Sequence, residues 1–410
     1  MAAPQETLER SGRVSNWFEE RLGARALFAA LLHVRIPVAA RTYYLGGITL
    51  FLFGIQVVTG TLLTLYYKPT PDTAYDSVKY ITSVVEFGWL IRSVHHWAAN
   101  LMIICLVLHV VRIFVQGAYK YPRELTWVVG VGLLAATIGF GFTGYLLPWD
   151  QRAYWATVVG TDIAGGIPII GPPLLELLRG GLDVTDATLG RFFGMHILVL
   201  PLMLAAFMVV HLTIVHQLGL ANPKRPEPRP GRAATATTTA GAPTQVDASA
   251  GGGASADGGA SAGGGASAVA VASVEIDAKR AEVDKRAEVD RLKPFFPDYV
   301  LDEVIAWAAM LAVLVVLASV LPAGLEEKAD PLNTPHVKPE WYFLSVYQLL
   351  KIVPRDIGII TPVVAIAALA LLPFLDRNPE VRPRRRLFLL LFAGVVAGLT
   401  VGLTVWGYYS

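Results

Sequence analysis

Seven stretches of this chain, near residues 43–67, 91–116, 127–147, 193–216, 300–322, 357–375 and 387–408, are long, apolar and almost free of charge. About twenty helical residues rise roughly 30 Å, the thickness of a bilayer's hydrocarbon core, and in that medium a helix satisfies its own backbone. Composition agrees: 16% of the residues are charged, against roughly 25% in a soluble domain. The sequence therefore predicts an all-α membrane protein with seven transmembrane helices. Lys and Arg gather before the first run (Arg10, Arg13, Arg21, Arg25, Arg35, Arg41), between the second and third (Lys120, Arg123), between the fourth and fifth, and between the sixth and seventh (Arg377, Arg382, Arg384, Arg385, Arg386). Basic loops stay cytoplasmic, so the N-terminus is expected on that side and the C-terminus outside. The N-terminal "WFEERLG" region is amphipathic and charged, and no removable signal peptide is expected. The formal net charge of +2 names no partner, and nucleic acid is not expected.

The runs fall into two blocks. Residues 1–42 read as a cytoplasmic amphipathic segment, 43–222 as a four-helix block and 292–410 as a three-helix block. Between them, 223–291 contains "GGGASADGGASAGGGASA" and a twice-repeated "KRAEVD". That composition cannot bury a core and predicts a flexible, low-complexity cytoplasmic linker. The second block carries an outside loop, "HVKPEWYFLSVYQLLKIVPR", whose apolar spacing suggests a helix lying at the interface. The single cysteine, Cys105, lies inside the second run. An internal disulfide, a cysteine-ligated iron–sulfur cluster and a C-x-x-C-H haem attachment are thereby excluded from this sequence.

Histidines in hydrocarbon need a reason. The second run reads "SVHHWAANLMIICLVLHVVR" and the fourth "MHILVLPLMLAAFMVVHLTIVH". His95 and His109 are 14 residues apart, His196 and His211 are 15 apart. These separations are roughly 21 and 22 Å along a helix, and each pair returns to within roughly 40–60° of one face. Both runs cross from outside to inside, so His95 faces His196 near the outer surface and His109 faces His211 near the inner one. A neutral imidazole is an axial ligand for haem iron, and an opposed pair fills both axial positions. One lone histidine is explained as readily by packing, and a zinc site needs ligands at one depth. Four at matched spacings point to two bis-histidine b haems that carry electrons.

Glycines repeat at the same period: Gly46 and Gly60 on the first run, Gly130 and Gly144 on the third. They clear space for a flat ring or serve ordinary helix packing. Arg92 and Arg112, three residues outside His95 and three beyond His109, either pair with haem propionates or snorkel to the interface.

At this point the residues resemble a known family. "LGGITL", "FGWLIRSVHHW", "LHVVR", "YPRELTWVVG", "GFTGYLLPWDQ" and "RFFGMH" are similar to the diheme cytochrome b of quinol:cytochrome c oxidoreductases. "KPEWYFLSVYQLLKIVP" resembles the separate smaller subunit of the plastid-type complex. The two pieces look fused, as a four-helix diheme bundle followed by a three-helix block. Where the plastid type attaches an extra haem through cysteine this chain has Tyr44, so no covalent haem is expected. His216 stands where mitochondrial-type relatives have a quinone-contacting histidine.

The resemblance implies a quinol-oxidising pocket on the outside, between the "PEWY" loop and "GYLLPWDQRAYW". Glu340 is the expected proton acceptor, Tyr145 shapes the pocket, and Pro339, Trp341 and Tyr342 position the loop. It also implies quinone reduction near His216, a Rieske-type iron–sulfur protein and a c-type cytochrome as partners, lipid around a homodimeric complex, and a multi-pass place in the inner (plasma) membrane of a prokaryote. Two other readings compete. A diheme anchor of a dehydrogenase or hydrogenase needs no glutamate-bearing outer loop; a transporter with a histidine proton relay shows no haem spectrum.

Overall fold

The computed structural model describes residues 35–37, 44–218, 292–333 and 338–410. The linker 223–291 and most of the N-terminal segment 1–42 lie outside the described residues. Among those described, seven helices are long and apolar enough to cross a membrane: Tyr44–Thr64, Gly88–Val115, Glu124–Tyr145, Asp186–Leu218, Pro297–Val320, Arg355–Leu375 and Pro383–Tyr409. These are the seven runs of the sequence. The end carrying Thr64, Gly88 and Tyr145 is the one the basic loops assign to the outside, and we call it outer.

The chain divides into two compact units, Met1–Thr42 with Pro228–Asp302, and Tyr43–Glu227 with Glu303–Ser410. In the first, Arg35–Pro37 and Leu292–Pro294 form a short antiparallel ladder. The second holds His95, His109, His196 and His211. Its first and second spans share a buried cluster of Leu52, Ala98, Met102 and Cys105 with Leu314 of the fifth span. Cys105 is thus a packing residue. Leu133 and Ala136 of the third span meet Leu204 of the fourth. Tyr119, Trp127 and Val131 pack on Leu369 and Leu372 of the sixth. Most other faces of the spans are apolar and exposed, as lipid-facing helices must be. The helix expected in the outer loop runs over Trp341–Ile352. It rests on the seventh span, where a Cβ on Gly407 would lie 3.3 Å from the Leu344 carbonyl oxygen.

At the inner end a buried ionic cluster joins the loop after the second span to the loop before the seventh. Asp376 Oδ2 lies 2.8 Å from Lys120 Nζ and 3.9 Å from Arg386 Nε, and accepts from the Tyr119 hydroxyl. Arg386 also donates to that hydroxyl, at 2.7 Å, and to the Phe114 carbonyl. Burial by itself raises the Asp376 carboxyl, but the hydrogen bonds and charges of Lys120 and Tyr119, with Arg386, outweigh it and hold it below the usual range. A depressed carboxylate contributes stability that is complete above its unfolded value and is lost as pH falls through the folded one, which here means below about pH 4. Asp376→Ala leaves two buried cations without their shared anion and is expected to destabilise by about 3–5 kcal/mol. Thermal unfolding of the purified protein checks this, and a midpoint equal to wild type would contradict it.

Candidate functional site

The two predicted histidine pairs are brought together. His95 and His196 face each other with ring centroids 6.3 Å apart. A metal bound to both by bonds of roughly 2 Å would hold the centroids about that far apart. His109 lies within electrostatic reach of His211. Among the described residues no group of three or more His, Cys, Asp and Glu side chains could hold a metal ion.

Each of the four periodic glycines backs one of the four histidines. A Cβ on Gly60 would lie 3.2 Å from His95 Cε1, and one on Gly144 would lie 2.5 Å from His196 Cε1. At the inner pair, Gly46 meets His109 at 3.3 Å and Gly130 meets His211 at 3.5 Å. The glycine period is therefore the histidine period; a side chain would crowd the imidazole edge most at Gly144, less at Gly60 and Gly46, and would make only ordinary contact at Gly130. Gly144→Ala forces a contact that real Cβ atoms essentially never show, and is expected to displace His196. A weakened or shifted outer-haem spectrum checks this; an unchanged spectrum at full occupancy would contradict it.

Threonines one residue before the two outer glycines fix the ring chemistry. Thr59 Oγ1 donates to the Ile55 carbonyl at 2.7 Å and lies 2.9 Å from His95 Nδ1. Its hydrogen is committed to the helix, so the oxygen accepts from Nδ1–H and leaves the Nε2 lone pair facing the partner. At the partner ring Thr143 donates to Gly139 O at 2.9 Å and lies 3.3 Å from His196 Nδ1, and the Phe140 backbone also hydrogen-bonds this imidazole. A hydrogen bond on one ring nitrogen sets the other as the metal-binding one. The pair fits a bis-histidine haem.

The fourth span also absorbs its extra residue here. Met195–Val199 is a π-helical turn, closed by the Leu200 N–H on the Met195 carbonyl, and His196 lies within it. One residue is taken up by the wider turn, so 15 residues return to the face that 14 reach on the second span. Pro201 supplies the local cause, since it lacks an N–H for the residue 197 carbonyl and its ring crowds that oxygen.

The outer loop closes over this end. Glu340 caps the helix Trp341–Ile352, half-buried, with the charges of Arg152, Asp150 and Glu326 around it. Burial pushes its carboxyl above the ordinary glutamate value, with Asp150 and Glu326 adding to the rise and Arg152 opposing it. Tyr145 lies within reach of the Glu340 charge, and its hydroxyl is buried without a hydrogen-bond partner. The Tyr342 hydroxyl would lie 3.0 Å from a Cβ on Gly141. Backbone and side-chain bonds stitch the "WDQRAYW" segment to the loop after the fifth span: Ala329 N to Trp149 O at 3.0 Å, Gln151 N to Glu327 O at 2.9 Å and Trp155 Nε1 to Asn333 O at 3.0 Å. Arg152 pairs with Glu326. Pro339 precedes Glu340 and is half-buried.

Other residues fall elsewhere. Arg92 donates to the carbonyls of Ala323 at 2.7 Å and Gly324 at 2.6 Å, holding the outer loop. Arg112 bonds Gln116 Oε1 at 3.1 Å. His216 is exposed at the inner end of the fourth span. Glu303, which sequence reasoning passed over, places its half-buried carboxylate where Gly47 has no side chain, next to the Gly46 that backs His109. Its signal was present, as a carboxylate inside an apolar run.

Comparison with known proteins adds the following. Residues 33–219 match the family model described as Cytochrome b/b6/petB. Residues 328–410 match that described as Cytochrome b(C-terminal)/b6/petD. Among solved structures, a chain of a hyperthermophilic respiratory Complex III is 29% identical, with a TM-score of 0.74, over 96% of this chain and 91% of that one.

Proposed function

The chain belongs to the cytochrome b family, with a b/b6-like N-terminal part and a petD-like C-terminal part, and on that premise we propose that it is the cytochrome b subunit of a quinol:cytochrome c oxidoreductase. The observation that carries this reading is the opposed pair His95 and His196, tautomers set by Thr59 and Thr143, beneath a glutamate-bearing outer loop. His95 with His196 and His109 with His211 would hold two b haems, which when bound supply an electron path between the membrane's two sides. An additional, covalently attached haem is not part of this reading, since Tyr44 stands where the plastid type has its cysteine.

At the outer pocket this chain's residues orient quinol and move its protons. The Tyr145 hydroxyl, buried and unpartnered, is a hydrogen-bond group for the quinol head. Glu340, raised by burial, is a better base for a weakly acidic quinol than an ordinary carboxylate. Its neighbours Arg152 and Glu326, both partly exposed, open toward the outside, where the proton leaves. Pro339, Trp341 and Tyr342 hold the loop that carries it. At the inner end, quinone takes its protons near Glu303, with His216 on the cytoplasmic approach. Arg92 and Arg112, on the haem-bearing second span, would pair with haem propionates when the haems are bound.

The reaction needs a one-electron acceptor outside this chain. A Rieske-type iron–sulfur protein and a c-type cytochrome fill that role, in a homodimeric complex embedded in the plasma membrane of a prokaryote. The domain organisation proposed with it is a four-helix diheme bundle, 43–222, and a three-helix block, 292–410, joined through the linker. The purified chain should contain two b haems, and its complex should reduce cytochrome c with quinol. A preparation without haem would overturn the reading in favour of a histidine-relay transporter; haem without quinol-dependent cytochrome c reduction would favour a dehydrogenase anchor.

A further inference from the structure

Asn100 lies five residues inward of His95 on the second span, and nothing in the electron-transfer role calls for an amide at that depth. Its side chain is bonded at both ends. Nδ2 donates to the His96 carbonyl at 3.0 Å, one turn back on the same helix. Oδ1 accepts from Trp341 Nε1 at 2.7 Å, from a residue 241 positions further along the chain. The two bonds agree on the orientation of the amide, since one requires the NH2 group and the other the carbonyl. Each partner satisfies a group that would otherwise face hydrocarbon, where polar atoms lack water.

Trp341 is the first residue of the outer helix, immediately after its cap Glu340. Fixing the indole therefore fixes the start of that helix and the direction of the preceding carboxylate. Tyr342, the next residue, is seated on the third span where Gly141 leaves room for its ring. Phe343 stands edge-to-face on Phe142 of the same span, with centroids 5.9 Å apart. The helix start is thus held by packing toward the third span and by one hydrogen bond toward the second. That bond reaches the helix that also carries His95.

We propose that Asn100 is a positioning residue of the outer quinol site, fixing the "PEWY" loop on the second span through the Asn100–Trp341 hydrogen bond. The assignment rests on the outer-pocket reading given above. Asn100 touches neither quinol nor the iron; it acts through Trp341 and, through that residue, on Glu340.

The test uses the full complex with three variants: Asn100→Leu, Trp341→Phe and both together. Asn100→Leu keeps the volume and removes both polar ends; Trp341→Phe keeps an aromatic ring and removes the donor. Each single change is expected to raise the KM for a short-chain quinol by about threefold to tenfold, the size of one interhelical hydrogen bond in a membrane. Haem content and both b-haem spectra should stay at wild-type values, and the double variant should be no worse than the poorer single one. Hydrogen–deuterium exchange of the segment around residues 338–347 should quicken in Asn100→Leu, a readout that does not depend on turnover. Additive losses, or a shifted outer-haem spectrum with unchanged exchange, would show that Asn100 merely packs the second span and would overturn the proposal. If wild type itself fails to oxidise quinol, the functional reading falls, while the exchange measurement still decides whether Asn100 holds the loop.

Discussion

Replacing His95 or His196 with an apolar residue is expected to remove the outer b haem and leave the inner one, taking the chain from two haems to one. The reason is local. Each ring is packed against a glycine, lies beside a threonine hydroxyl and faces its partner ring. Quinol oxidation through this chain should stop with it, because on the proposed reading the electron that crosses the membrane enters at the outer haem. His109→Leu or His211→Leu should show the mirror result, an inner haem lost and an outer one retained. Haem content, read with separate redox titrations of the two b centres, checks all four. Retention of both haems at full occupancy in any ligand variant would break the assignment.

The second large effect belongs to Glu340→Gln. Glutamine keeps the size and polarity of the side chain and removes proton acceptance. General acid–base groups are typically worth 10²–10⁴-fold, and water paths can soften the loss, so we expect quinol-driven reduction of the outer haem to slow by at least about tenfold. Both haem spectra should remain, since Glu340 ligates neither iron. The pH profile adds a sign. A carboxyl raised by burial accepts protons only above its raised value, so wild-type activity should climb with pH through that region, and the Gln variant should lose the climb. Normal turnover with normal haem would leave the outer loop a structural role only.

Much of this arrangement is legible in the sequence, and the exceptions have physical causes. The seven spans follow from run length, and the histidine pairs from a helical period that survives across two separate helices. The 14-residue glycine period was legible as a pattern but ambiguous as chemistry, because small residues serve helix packing equally well. Only the structure shows each one under an imidazole. The threonines escaped notice because a hydroxyl bonded to the carbonyl four residues back looks like any helical threonine. Their signal is the Thr-Gly dipeptide at 59–60 and 143–144, absent before Gly46 and Gly130. The 15-residue spacing was legible only as a near-return to one face; Pro201 and the π turn make it equivalent to 14. Arg92 and Asn100 were not legible in their present roles. Their partners lie 231 and 241 residues away, and no local pattern encodes a contact across the linker.

On the proposed reading, one chain joins an outer quinol-oxidising pocket to an inner quinone site through its four histidines. The most direct measurement mixes the reduced-quinol complex rapidly with an oxidant for the c-type cytochrome, with the inner site blocked, and follows the b-haem band. If the outer pocket splits the two electrons of quinol between partner and chain, adding an oxidant should make the b haems more reduced, and Glu340→Gln should slow that reduction. A b-haem band that becomes more oxidised, or does not respond, would contradict the account and leave the protein a simple electron carrier.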